Sequence, residues 1–275
     1  MLKKIREFTY RYAIVSTILI AALFVLLMNA TARAFHLLPS SAPVQYAEEI
    51  FVMLYSVAIV LLLGFRSTFQ FKGFFKSLLY SSAVIAFMLI SLGYFFLNAT
   101  SNPNTVWASS GVIVFKLVQA IGIGIREECF FRGAIQNILS KKYAHSVKGV
   151  WISALIGAAS FALVHLLNIF AGYDPVIVIA QTLSAMGSGL FFVAIYLRSG
   201  NLWASALVHA LIDTVALAGS IFLTQTRVDT VNSLSFGALL GTVVYIVPAV
   251  FLLRPSKCKE IVARFEASRD QNLLV

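Results

Sequence analysis

The feature that most limits what this chain can fold into is a succession of apolar runs, each close to the roughly 20 residues a helix needs to cross a bilayer core. Uninterrupted apolarity covers residues 12–29, 47–65, 77–98, 111–139, 149–171, 176–197, 201–223 and 235–253. The predicted fold is therefore an all-α, polytopic membrane protein with about eight transmembrane helices in one integral domain. Hydrophobic residues make up 60% of the 275 and charged residues 12%, with a mean hydropathy of +0.89. An ordinary soluble domain is about 45–50% apolar and about 25% charged. A soluble enzyme, a disordered tail and a nucleic-acid-binding module are excluded.

The net charge of +10 follows the connections between runs. With the N-terminus inside, the inner segments hold Lys3, Lys4, Arg6, Arg11, Arg66, Lys72, Lys76, Lys141, Lys142, Lys148, Arg198, Arg254, Lys257, Lys259, Arg264 and Arg269. The outer segments hold only Arg33 and Arg227. That bias predicts cytoplasmic termini at both ends. Ala30-Thr31-Ala32 looks like a signal-peptide cleavage site, but the preceding apolar stretch exceeds the roughly 7–15 residues of a signal core, so an uncleaved first helix is expected. Cys129 and Cys258 are too few and too differently placed for a disulfide framework. Gly172 to Pro175 reads as a tight outer turn, and the segment from Pro255 onward as a short surface helix.

Ionisable residues inside membrane helices are costly, which makes them the first functional candidates. The fourth run carries Arg126, Glu127, Glu128 and Arg132, the fifth His165, and the seventh His209 and Asp213. Lys116 lies near the outer interface, where its side chain can snorkel. On a helix Glu128 and Arg132 share a face at i, i+4 and can neutralise one another. Glu127 is rotated about 100° away and is left to Arg126 or to another helix. His209 and Asp213 share a face by the same spacing. Taken singly, these groups are equally compatible with a structural ion pair, a hydrogen-bonded helix contact and an interhelical polar clamp. Their fall on three separate spans favours a shared hydrolytic cavity.

A zinc pattern His-Glu-x-x-His is absent, because neither span histidine is followed by Glu. Met186-Gly187-Ser188-Gly189 resembles a rhomboid nucleophile loop but lacks the Gly two before the serine. Nothing marks Cys129 as an activated thiolate. The remaining pattern is Glu-Glu-x-x-x-Arg, Phe-x-x-x-His and His-x-x-x-Asp on separate helices, carried by Glu127, Glu128, Arg132, Phe161, His165, His209 and Asp213.

At these residues the sequence resembles the CPBP family, the CAAX prenyl protease and bacteriocin-processing enzymes also called Abi proteins. The resemblance covers about residues 111–217. It divides the chain into helices without a family motif (1–110), a catalytic core (111–223), and a last helix with a basic cytoplasmic tail (224–275).

The resemblance implies an intramembrane endopeptidase with a cavity open to the cytoplasm, acting on membrane-associated peptides or proteins. Peptide or bacteriocin processing and immunity are the roles it suggests, in a bacterial cytoplasmic membrane. By the resemblance Glu127 is the general base and His165 holds the water and passes its proton to the leaving amine. His209 and Asp213 stabilise the oxyanion, while Glu128, Arg132 and Phe161 support the site. Many members have Asn where this chain has Asp213, which leaves a protonated donor, an orienting carboxylate or a metal ligand open at that position. The glutamate mechanism needs no cofactor; the alternative is Zn²⁺ held by Glu127, His165, His209 and Asp213. A transporter or proton relay, and a non-catalytic scaffold, are the competing readings. Counting ~1.5 Å per residue places His209 about 12 Å and His165 about 24 Å from the inner starts of their spans, which asks for a tilted or later-starting fifth span.

Overall fold

A computed structural model describes residues 2–38, 41–224 and 234–273. It is all-helical, and among the described residues the only extended pairing is an isolated bridge between Trp107 and Leu223. The helices are α1 (Leu2–Arg11), α2 (Ala13–His36), α3 (Ala42–Leu62), α4 (Phe74–Tyr80), α5 (Ser82–Ser101), α6 (Ser110–Glu128), α7 (Asn137–Tyr143), α8 (Val147–Val164), α9 (Pro175–Ser199), α10 (Leu202–Ala216), α11 (Ala218–Phe222), α12 (Leu234–Leu252) and α13 (Pro255–Leu273). Short 3₁₀ turns occupy Arg66–Phe69 and His165–Ile169. A π-helical run, Cys129–Gln136, joins α6 to α7.

Among the described residues five helices are long and apolar enough to cross a membrane: Ala13–His36, Pro43–Leu62, Ser82–Ser101, Val147–Ile169 (α8 with its 3₁₀ turn) and Pro175–Ser199. Large apolar side chains such as Leu26, Leu54 and Ile90 stay exposed on them, a surface suited to lipid rather than water. The chain is an integral membrane protein. Two predicted runs take other forms. The 111–139 run is an α-helix that changes to π geometry at Cys129. The 201–223 run is the 15-residue α10 followed by the short α11. The 235–253 run is the single helix α12, Leu234–Leu252. The outer cation Arg227 lies outside the described residues.

Local signals fix the helices that bear the motifs. Ser146 starts α8 by accepting from the Gly149 N–H. Asp174 starts α9, accepting from Val176 and Ile177 with Pro175 in the first turn, as expected for an N-cap and a following proline. Gly200, at φ +71°, ends α9 in the left-handed conformation, and Asn201 then caps α10 through the Ala204 N–H.

The basic connections meet at one end of the bundle. Lys141 reaches Tyr10, Arg6 reaches the Leu62 carbonyl, and Arg198 at the end of α9 pairs with Glu260 of α13 at 2.8 Å. At the other end Trp107 stacks on Phe96, and the Ala108 N–H bonds the Phe222 carbonyl.

Candidate active site

The site starts from a close helix crossing. A Cβ placed on Gly124 of α6 would lie 2.4 Å from the Ala206 carbonyl oxygen of α10. Only glycine lets the two backbones come this near, the usual way membrane helices gain packing. The approach carries Glu127 and Glu128, at the end of α6, to His209 in the middle of α10. Immediately afterwards the π run Cys129–Gln136 begins, with all eight residues buried; π turns recur at functional positions.

Glu128 and Arg132 form the expected pair, with Oε1 to Nη1 at 2.9 Å and both side chains fully buried. The same Glu128 Oε1 accepts from His209 Nδ1 at 3.0 Å. Arg132 also donates to the Gly189 carbonyl at 3.3 Å and lies 4.5 Å and 4.8 Å from the ring centres of Phe161 and Phe192. Two aromatic faces thus help carry its charge where water is absent. Phe192 stacks on the His209 ring at 4.7 Å, and Phe161 meets it edge-on at 5.7 Å.

Glu127 leaves the helix in another direction, as the rotation predicts. Its Oε2 lies 3.6 Å from His209 Nε2, and Asp213 Oδ2 lies 3.8 Å from the same nitrogen. His209 is therefore ringed by three carboxylates. His209 itself is only 4% exposed.

His165 does not sit in mid-helix. It follows the last residue of α8 and opens the 3₁₀ turn His165–Ile169. Its Nδ1 lies 3.0 Å from the Phe161 carbonyl. A carbonyl can only accept, so Nδ1 carries the proton and a neutral ring keeps its Nε2 lone pair. The fifth span starts at Val147, earlier than the sequence reading drew it, so a later start does not explain the depth difference between the histidines.

Glu127 and His165 share a cavity of about 560 Å³. Phe24, Val164 and Phe170 give it apolar walls, and Asn29, Asn168 and Gln181 add carboxamides. Asn168 donates to Gln181 at 3.0 Å. His209 and Asp213 are not on this wall; they stand behind Glu127.

Among the described residues no group of three or more His, Cys, Asp or Glu side chains is arranged to hold a metal ion. Of the four residues of the zinc alternative, Glu127 and His165 line the cavity and His209 and Asp213 do not. Ser188 of the rhomboid-like stretch donates to the Ala185 carbonyl of its own helix, and Cys129 is buried.

Three features escaped the sequence reading. Arg126 pairs with Glu49 of α3 at 2.9 Å, and Gln119 donates to the same carboxylate at 3.4 Å. Glu49 was legible as a second-span carboxylate by the rule that singled out the others. Phe192 and the Asn168 to Gln181 bond gave no distinguishing signal among so many apolar and amide side chains.

Residues 107–215 match the family model described as type II CAAX prenyl endopeptidase Rce1-like. No curated protein and no solved structure matches the chain.

Proposed function

With residues 107–215 belonging to the CPBP or CAAX protease family, we propose that the chain is an intramembrane endopeptidase that hydrolyses peptide bonds of membrane-associated peptides or proteins in a bacterial cytoplasmic membrane. One observation carries the reading: Glu127 and His165 face the same cavity, and the rear of Glu127 is held by His209.

Glu127 takes a proton from water, and the hydroxide attacks the carbonyl carbon of the scissile bond. His165, with Nδ1 tied to Phe161, takes that proton from Glu127 onto Nε2 and passes it to the leaving amine as the tetrahedral intermediate collapses and the C–N bond breaks, which returns both side chains to their starting forms. A positioned acid or base of this kind contributes about 10²- to 10⁴-fold. The oxyanion role that the resemblance gives His209 requires its Nε2 to reach the cavity, and the Glu127 carboxylate stands between them. His209 acts here as a positioning residue for Glu127, and Asp213 orients His209. The buried Glu128–Arg132 pair fixes the other side of the imidazole. The cavity walls, apolar with three carboxamides, suit an apolar segment whose peptide groups need partners.

The test is cleavage of a membrane-tethered peptide by the purified protein. Glu127→Gln and His165→Ala each lower turnover about 10²-fold or more on this reading. Variants that cleave as fast as the unaltered protein refute it.

A further inference from the structure

A second cleft, of about 900 Å³, lies at the basic end of the bundle, where the segment before α4 meets the end of α9 and α13. It is separate from the cavity of Glu127: Gln181 and Ser199 of α9, which line one each, are roughly 27 Å apart along the helix at 1.5 Å per residue. Lys72, Lys76, Arg198 and Arg264 line it, and no carboxylate does. Lys72 and Lys76 are exposed and have no acidic partner among the described residues. Arg198, only 7% exposed, donates through Nη1 to Glu260 and the Lys257 carbonyl and through Nη2 to Tyr80, and keeps a buried Nε without a hydrogen-bond partner.

Beside these cations stand Phe71 and Phe75, 60% and 75% exposed. The segment that presents them is pinned. Gly73 has φ +85°, and a Cβ there would lie 2.4 Å from the Ser199 carbonyl oxygen. Below, Asn137 donates to Thr68 and to Tyr196, at 3.0 Å and 2.9 Å. A concave site that joins two lysines without acidic partners to an exposed aromatic wall is matched to an anionic amphiphile. A small anion would use the cations and leave the rings bare.

We propose that this cleft binds the phosphate headgroup of an anionic phospholipid, with Lys72, Lys76 and Arg198 facing the phosphate and an acyl chain lying against Phe71 and Phe75. Basic pockets between membrane helices hold such headgroups through the same combination of charge and burial. The site is independent of the hydrolytic reading and stands or falls without it.

The full-length protein, purified in a non-ionic detergent and stripped of lipid, is titrated with phosphatidylglycerol or phosphatidylcholine, and bound lipid is read by native mass spectrometry. Phosphatidylglycerol is expected to be retained about fivefold or more in preference to phosphatidylcholine, and Lys72→Gln/Lys76→Gln to erase that preference. Lys3→Gln/Lys4→Gln, which removes two exposed lysines elsewhere, keeps it. Phe75→Ser weakens phosphatidylglycerol retention. Equal retention of the two lipids, or equal loss in both lysine pairs, overturns the proposal. Displacement of the lipid by inorganic phosphate at matching concentration also overturns it, by assigning the cleft to free phosphate.

Discussion

Glu128 and His209 are joined by a 3.0 Å hydrogen bond across the α6–α10 crossing, and the oxygen that accepts it is also 2.9 Å from Arg132. One buried carboxylate therefore supports a charge on its own helix and an imidazole on another. Its neighbour Glu127 faces the cavity and meets His209 from the opposite side. Adjacent residues of identical chemistry are divided between a buried ion pair and a cavity wall by a single step of helix rotation.

That division predicts different failures. Glu128→Gln leaves the fully buried Arg132 without its counter-charge, a loss of about 3–5 kcal/mol for a broken buried pair. Thermal unfolding in detergent should show a large loss of stability. Glu127→Gln should melt close to the unaltered protein while losing cleavage. Equal melting of the two variants contradicts the assignment.

The ionisable groups of the site were legible because charge is rare in so apolar a chain, and the spacing of Glu128 and Arg132 gave their pairing outright. Pairings between helices were not legible. They depend on the register of α6 against α10, which rests on one close contact at Gly124 that no periodicity reveals. The switch to π geometry at Cys129 is equally hidden, since an apolar run looks the same in either helix type. His165 lines one cavity with Glu127 but was assigned the wrong local structure, because the apolar run continues unbroken past the point where α8 ends.

The register itself can be tested. Gly124→Ala pushes a methyl group to 2.4 Å from the Ala206 carbonyl oxygen and 3.1 Å from the Ala210 nitrogen. Overpacking of this kind costs about 1–3 kcal/mol, and cleavage should fall because α10 carries His209. Gly111→Ala, at a helical position where a Cβ meets nothing within 4 Å, serves as the control and should leave both properties intact. A Gly124→Ala protein with full activity and stability removes the close-approach argument.

Arg126 sits next to Glu127 in sequence, and Glu49 holds it toward α3 at 2.9 Å. Glu49→Gln is expected to lower both stability and cleavage by releasing a cation beside the reacting carboxylate. Glu49→Gln/Arg126→Gln should recover much of each. For residues in direct contact, a coupling of about 0.5–3 kcal/mol is expected from the double-mutant cycle. Strict additivity shows that the pair does not act on the site.

At the basic end, Glu260 accepts from Lys257 and Arg198, and these bonds hold its pKa down at about 2, below the ordinary value of 4.5. A carboxylate whose pKa is depressed by folding adds stability above its unfolded pKa and loses it as protons bind. The contact between α13 and α9 should therefore hold at neutral pH and weaken progressively as pH falls from 4.5 through about 2. The protection of α13 amides, taken relative to their intrinsic exchange rate at each pH, should fall across that window, and Glu260→Gln should remove the dependence. An unchanged pH response in Glu260→Gln places its origin elsewhere.

The cavity of Glu127 and His165 is bounded by Asn168, Phe170 and Ala171, on the connection from α8 to α9. Lys141 and Lys142 lie at the other end of α8, with the basic cluster. Positive charge at one end of a helical bundle marks the cytoplasmic side, so the two ends should differ in their exposure to the outside of the cell. Ala171→Cys and Lys142→Cys report on this directly, because the native Cys129 and Cys258 are buried and give little background. A membrane-impermeant maleimide applied to intact cells should label Ala171→Cys, and Lys142→Cys only after the membrane is opened. That result puts the cavity mouth on the outer side, opposite to the cytoplasmic opening that the family resemblance implies. The reverse pattern turns the chain over in the membrane and restores a cytoplasmic mouth, while the geometry of Glu127, His165 and His209 stays as it is.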